Sequence, residues 1–148
     1  MGTREDDLIK SSATVMPVHQ NRIGFLRRDM DDSYPGVLLA PGGSLETVDG
    51  EDVEGVRYHS AEAAACRELR EKCGIQVNPS GLRYLCSMTL PIRRLVISFY
   101  CNISYTQIAR SLGYLEFYGV GEVFERDDFA PGMKEEALRL FELLARAK

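Results

Sequence analysis

Arg67-Glu68-Leu69-Arg70-Glu71-Lys72-Cys73-Gly74-Ile75, with Pro41-Gly42-Gly43 upstream of it, is the stretch on which the reading of the fold turns. On an α-helix, positions 68, 71 and 72 are spaced i, i+3 and i+4, so their side chains share one narrow strip of surface. Two carboxylates on such a strip suit a hard divalent cation such as magnesium, which is held by one or two acids together with waters and phosphate oxygens. The plainer reading is a solvated helix face. In it Glu68 pairs with Lys72 and Arg67 with Glu71, each contact worth roughly 0.2–0.5 kcal/mol.

Outward from that run, the helix has its own boundary signals. Ser60 is a natural N-cap, Glu62 puts negative charge in the first turn, alanines follow, and Gly74 can end the helix after Cys73. Upstream, Val37-Leu-Leu-Ala40 is a short apolar run that stops at Pro41-Gly42-Gly43 and predicts a buried strand entering a turn. Ala13–Val18 and Ile23–Arg27 flank a polar turn at His19–Arg22 and predict a hairpin. Residues 44–59 form an acidic excursion with Glu46, Asp49, Glu51, Asp52 and Glu54, and an Asp-Gly turn at Val48–Glu51 predicts a small protruding hairpin. Tyr84–Thr89 and Leu95–Tyr105 read as two antiparallel strands, and Gln107–Leu115 is ambiguous. Tyr118–Phe124 reads as a final strand. The C-terminal segment places Ala137, Leu138, Phe141, Leu144 and Ala145 on one helical face. Strands, helix, strands, helix predict an α/β fold, a mixed sheet with helices on its faces.

The 148 residues suit a single domain over 1–148, with 1–12 as a polar lead-in. Apolar residues at 45% and charged residues at 27% match ordinary globular usage, which argues against wholesale disorder. A net charge of −4 is not the footprint of a protein that binds a nucleic-acid polymer. The acidic Met1–Lys10 segment does not resemble a secretory signal, and the apolar runs are too short to cross a bilayer, so no membrane and a cytoplasmic location are expected. Cys66, Cys73, Cys86 and Cys101 lack C-x-x-C spacing and read as reduced, mostly buried thiols.

The order strand, Pro-Gly-Gly, acidic loop, alanine-rich helix, then Arg67-Glu68-Leu69-x-Glu71 ending at Gly74-Ile75 resembles the Nudix hydrolase family. The family box is written G-x5-E-x7-R-E-U-x-E-E-x-G-U, where U is a bulky aliphatic residue. Three departures stand out. The interval from Gly43 to Arg67 is ten residues longer than in the box. His59 falls where the first glutamate would, so Glu51 or Glu54 must fill that role, or nothing does. Lys72 replaces the second acid of the E-E pair.

The resemblance implies an α/β/α sandwich with a mixed β-sheet. It also implies hydrolysis of the pyrophosphate bond of a nucleoside diphosphate linked to another moiety, by water attack assisted by Mg2+ or Mn2+. Glu68 and Glu71 would hold the metal, with the Gly43 turn bringing a backbone carbonyl close. Arg67 would orient the acids or the preceding loop. Arg93 and Arg94 are candidates for phosphate binding, and Glu116, with Glu122 beside it, for an acid contributed from outside the box. The expected partner is a small nucleotide-type diphosphate, and the family's habit of pairing allows a homodimer. Lys72 can pair with Glu68 and compete with a cation for the same oxygens. A second reading therefore stands beside the first: a Nudix-fold nucleotide-binding or regulatory module with little or no catalysis.

Overall fold

The hairpin predicted near residue 20 starts the sheet. Strands β1 (Lys10–His19) and β2 (Arg22–Arg27) pair antiparallel with Val18 opposite Ile23. Gln20 and Asn21 between them take φ of 50° and 61°, the left-handed pair that a two-residue turn needs to match the twist of its strands. The computed structural model describes residues 10–29, 35–45, 50–53, 56–90 and 94–147, with side chains left undescribed at 10, 50–53 and 56–59.

Seven strands form one mixed sheet. Besides β1 and β2 these are β3 (Leu38–Leu39), β4 (Gly42–Ser44), β7 (Arg83–Leu90), β8 (Arg94–Asn102) and β9 (Glu116–Tyr118). The main order is β3-β2-β1-β8-β7, with β4 on β1 and β9 on β2. β1 is the axis: it runs parallel to β8 from Lys10 opposite Arg94 to Val18 opposite Asn102. Its other edge is shared, with β4 on the first half (Thr14 opposite Gly42) and β2 on the second. The acidic excursion forms a separate ribbon, β5 (Gly50–Val53) with β6 (Val56–His59), Gly50 opposite His59. A hairpin was expected there, but Gly50 and Glu51 belong to its first strand and not to a turn. The connection at 54–55 lies outside the described residues.

Helices cover both faces. α1 (Ala61–Cys73) packs Ala64, Ala65, Leu69 and Cys73 against Ala13, Val15, Phe99 and Cys101. α4 (Met133–Arg146) packs Met133, Ala137, Leu140 and Phe141 against Met16, Val18, Phe25 and Leu38. The two cores follow from the side-chain alternation of β1, in which Ala13 and Val15 face one layer while Met16 and Val18 face the other. The result is the expected α/β/α sandwich. Ser60 caps α1 by accepting a hydrogen bond from the Ala63 amide at 3.2 Å, and Gly74 ends it at φ 72°.

Two sequence expectations need correction. The strand expected over Leu95–Tyr105 stops at Asn102, because Ser104 caps a short helix α2 (Tyr105–Ala109) through the Gln107 amide. The strand expected over Tyr118–Phe124 is only its first residue. The chain then turns into α3 (Val120–Glu125), where the Gly119 amide donates to Glu122 at 3.0 Å. Within that helix Val123 is buried while Val120 and Phe124 are exposed, a helical and not an alternating pattern.

All four cysteines are free thiols, and Cys73, Cys86 and Cys101 are buried. Burial pushes Cys101 up to about 12 and both Cys73 and Cys86 up to about 11, so these stay protonated and inert near neutral pH. No helix among the described residues is long and apolar enough to cross a membrane.

Candidate functional site

The packing of α1 against β1 and β4 decides where its charged strip goes. Leu69 anchors the apolar side of the helix, and the next positions around the cylinder put Arg67 and Glu68 against the Gly42–Ser44 strand. Arg67 and Glu68 are buried, whereas Glu71 and Lys72 are about half exposed, at 53% and 45%.

Arg67 is the hub. Nη1 donates to Glu68 Oε1 at 3.1 Å and to Glu71 Oε2 at 3.2 Å, while Nη2 donates to the Ser44 carbonyl at 3.1 Å. One planar guanidinium thus ties both carboxylates to each other and the helix to the loop strand. Gly43 is tight against this cluster: a Cβ there would lie 2.7 Å from the Glu68 carboxyl carbon. Gly42 is equally constrained on the other side, where a Cβ would lie 2.6 Å from the Ala13 carbonyl oxygen.

Lys72 completes the arrangement. Its Nζ donates to the Gly42 carbonyl at 2.6 Å and stands 3.5 Å from Glu68 Oε2. The helix-face pairing anticipated from spacing is therefore present, with an added hydrogen bond to a residue 30 positions away. The helix thus meets two carbonyls of β4, that of Ser44 through Arg67 and that of Gly42 through the Lys72 ammonium.

Among the described residues, this donor set does not fit a magnesium or manganese ion. Both oxygens of Glu68 face protein cations, Glu71 is held by Arg67, and the two cationic side chains cancel the two carboxylates. Hard dications require an oxygen-rich, negatively charged shell. Among the described residues no group of three or more His, Cys, Asp or Glu is gathered to form one. Glu46 and Glu54 lie outside the described residues, as do the side chains of Glu51 and His59.

Lys72 also lines a cleft of about 840 Å3. Its walls come from Leu26 and Arg27 at the end of β2 with Arg28 and Asp29 beyond it, from Leu39 and Ala40, and from the segment Gly113–Glu116. Glu116 reaches this cleft but is occupied there. Arg27 donates to it through Nε and Nη2, each at 3.0 Å, and the Tyr118 hydroxyl donates at 2.6 Å. The Arg27 hydrogen bond is the main reason the Glu116 carboxyl is held below its ordinary range. Arg94 lies elsewhere, donating to Ser12 and, at 3.0 Å, to Ser44, so that it ties β4 to β1. Arg93 lies outside the described residues, and Glu122 caps α3.

Asp128 closes the same charge network behind the cleft. It accepts from Arg126 at 2.6 Å and from Arg27 at 3.3 Å, and these hydrogen bonds hold its carboxyl down to about 2. A depressed carboxylate stabilises the fold above its ordinary pKa and loses that contribution as pH falls through the folded value. The stability gap between wild type and Asp128→Asn should therefore be full above about pH 4 and shrink toward pH 2. Chemical denaturation at a series of pH values measures it. At one-third exposure the gap should be small.

No family model matches the sequence, and no curated protein matches it. Solved structures do. A NUDIX hydrolase from Nitrosomonas europaea superposes with a TM-score of 0.71 at 18% identity, covering 95% of this chain and 74% of that one. A NUDIX-family hydrolase from Clostridium perfringens gives 0.65 at 14% identity, covering 91% and 97%. The NUDIX domain of Shewanella oneidensis NrtR, complexed with ADP ribose, gives 0.63 at 19% identity, covering 93% and 88%. The chain has the Nudix fold.

Nothing in the sequence marks Arg27 and Arg28 as cleft residues. Arg27 stands at a strand end like any solvated charge, and its partners Glu116 and Asp128 are 89 and 101 positions away. No local pattern links them.

Proposed function

We propose that this protein takes the diphosphate of a nucleotide-type ligand in the cleft beside Lys72, and acts as a Nudix-fold binding module in which pyrophosphate hydrolysis is slow or absent. The observation that carries this reading is Lys72 Nζ, 2.6 Å from the Gly42 carbonyl and 3.5 Å from Glu68. An ammonium there adds positive charge for a phosphate while engaging the oxygens on which a catalytic dication depends. The NrtR domain complexed with ADP ribose supports a nucleotide-type ligand on this fold.

The hydrolytic reading requires Glu68 and Glu71 to exchange Arg67 and Lys72 for magnesium or manganese, and it draws on one observation. Arg67, Glu68 and Glu71 form a continuous cluster packed on the Gly42-Gly43 turn. A panel of nucleoside triphosphates, nucleotide sugars, dinucleotides and ADP-ribose separates the two. Each compound is assayed for binding by calorimetry and for cleavage with either metal, against a Glu71→Gln control. Binding of at least one compound, with cleavage no faster than the control, is expected. Metal-dependent cleavage about tenfold or more above the control would establish the hydrolase instead.

A further inference from the structure

A half-exposed lysine four residues after a glutamate usually makes a helix-surface pair of small consequence. Lys72 differs in two respects. Its partner Glu68 is buried, with 8% of the side chain exposed, and a buried carboxylate needs compensating charge on both oxygens. Arg67 serves Oε1 and Lys72 faces Oε2. The ammonium also reaches off its own helix to the Gly42 carbonyl, which helix-face pairing does not explain.

Carbonyl oxygen on one side and carboxylate oxygen on the other is the environment of a bound cation. An ammonium is a compact point charge with three donors. Two directions are used here, and the remaining exposed side of Lys72 faces the 840 Å3 cleft. Of the cleft cations Arg27 and Lys72, Arg27 has its guanidinium committed to Glu116, Asp128 and the Gly36 carbonyl, so Lys72 is the better placed of the two to receive an anion; Arg28 and Asp29 also line the cleft.

We propose that the Lys72 ammonium is the resident cation of this cleft: tethered to α1, it takes up the Gly42 and Glu68 oxygens that a divalent ion would need, and it meets the ligand's diphosphate directly. The first half stands on the geometry of the free protein. The second rests on the ligand class proposed above.

The test uses the full chain and two probes. Mn2+ alone is titrated and followed by its electron paramagnetic resonance signal, with circular dichroism confirming that each variant is folded. Wild type should bind Mn2+ weakly, Lys72→Gln several-fold more tightly because the Gly42 and Glu68 oxygens are released, and Lys72→Glu at least about tenfold more tightly. Wild type binding Mn2+ as tightly as Lys72→Gln would overturn the first half. ADP-ribose is then titrated calorimetrically with a metal chelator present. Lys72→Gln and Lys72→Met should each lose about tenfold or more in affinity, while Lys72→Arg retains most of it. Equal affinity of Lys72→Gln and wild type would overturn the second half. If wild type binds no compound of the panel, the ligand class and the second half fall together. The Mn2+ titration still decides the first.

Discussion

Replacing Arg67 with alanine is expected to destabilise the protein by about 3 kcal/mol, the scale of breaking a buried ion pair by removing one partner. The side chain is 9% exposed and donates to Glu68, Glu71 and the Ser44 carbonyl at 3.1–3.2 Å. Without it, Glu68 remains buried with, among the described residues, only Lys72 at 3.5 Å, and α1 loses its hydrogen bond to the Ser44 carbonyl of β4, keeping that of Lys72 to Gly42. Arg67→Lys should recover less than half of the loss, because a single ammonium cannot reproduce a planar fork that serves two carboxylates and a carbonyl. Urea denaturation measures both. An Arg67→Ala variant within about 0.5 kcal/mol of wild type, the range of ordinary surface substitutions, would contradict this picture of the cluster.

Gly42→Ala should cost a comparable amount, about 3 kcal/mol, for a different reason. Its Cβ would lie 2.6 Å from the Ala13 carbonyl oxygen and 2.9 Å from the Thr14 Cα, both backbone atoms of the central strand β1. Backbone in a paired strand has little room to move, so β4 must shift or its pairing break. Gly43→Ala meets the Glu68 carboxylate instead, a side chain that can yield by rotating away. It should therefore destabilise less than Gly42→Ala while disturbing the Glu68–Arg67–Lys72 cluster more. Paired denaturation curves check the order, and the reverse order would contradict it.

How much of this was legible beforehand depended on whether the signal was local. Helix α1 could be read to within a residue, because Ser60, the alanines and Gly74 act through hydrogen bonds and backbone angles within a few positions. The hairpin of β1 and β2 was legible from its polar turn, but β1 begins at Lys10 inside the segment expected as a lead-in, because Lys10, Ser11 and Ser12 pair with the distant strand β8. Residues 118–124 misled because Val and Phe favour strands in general, while a single Glu122 side chain reaching back to the Gly119 amide was enough to start a helix. The pairing of Lys72 with Glu68 followed from helical spacing. Its bond to the Gly42 carbonyl did not, since only the packing of α1 on β4 brings those residues together. The same limit applies to Glu116, legible as an acid outside the box but not as the partner of Arg27.

The central charge of the cleft is the Lys72 ammonium between Gly42 and Glu68. Its most direct test is calorimetric titration of the wild-type protein with ADP-ribose, once in a metal chelator and once in saturating magnesium. The predicted result is the same affinity in both, within about twofold, a difference of well under 1 kcal/mol. Binding seen only with magnesium, or tightened by it about tenfold or more, would contradict the claim that this cleft carries its own cation.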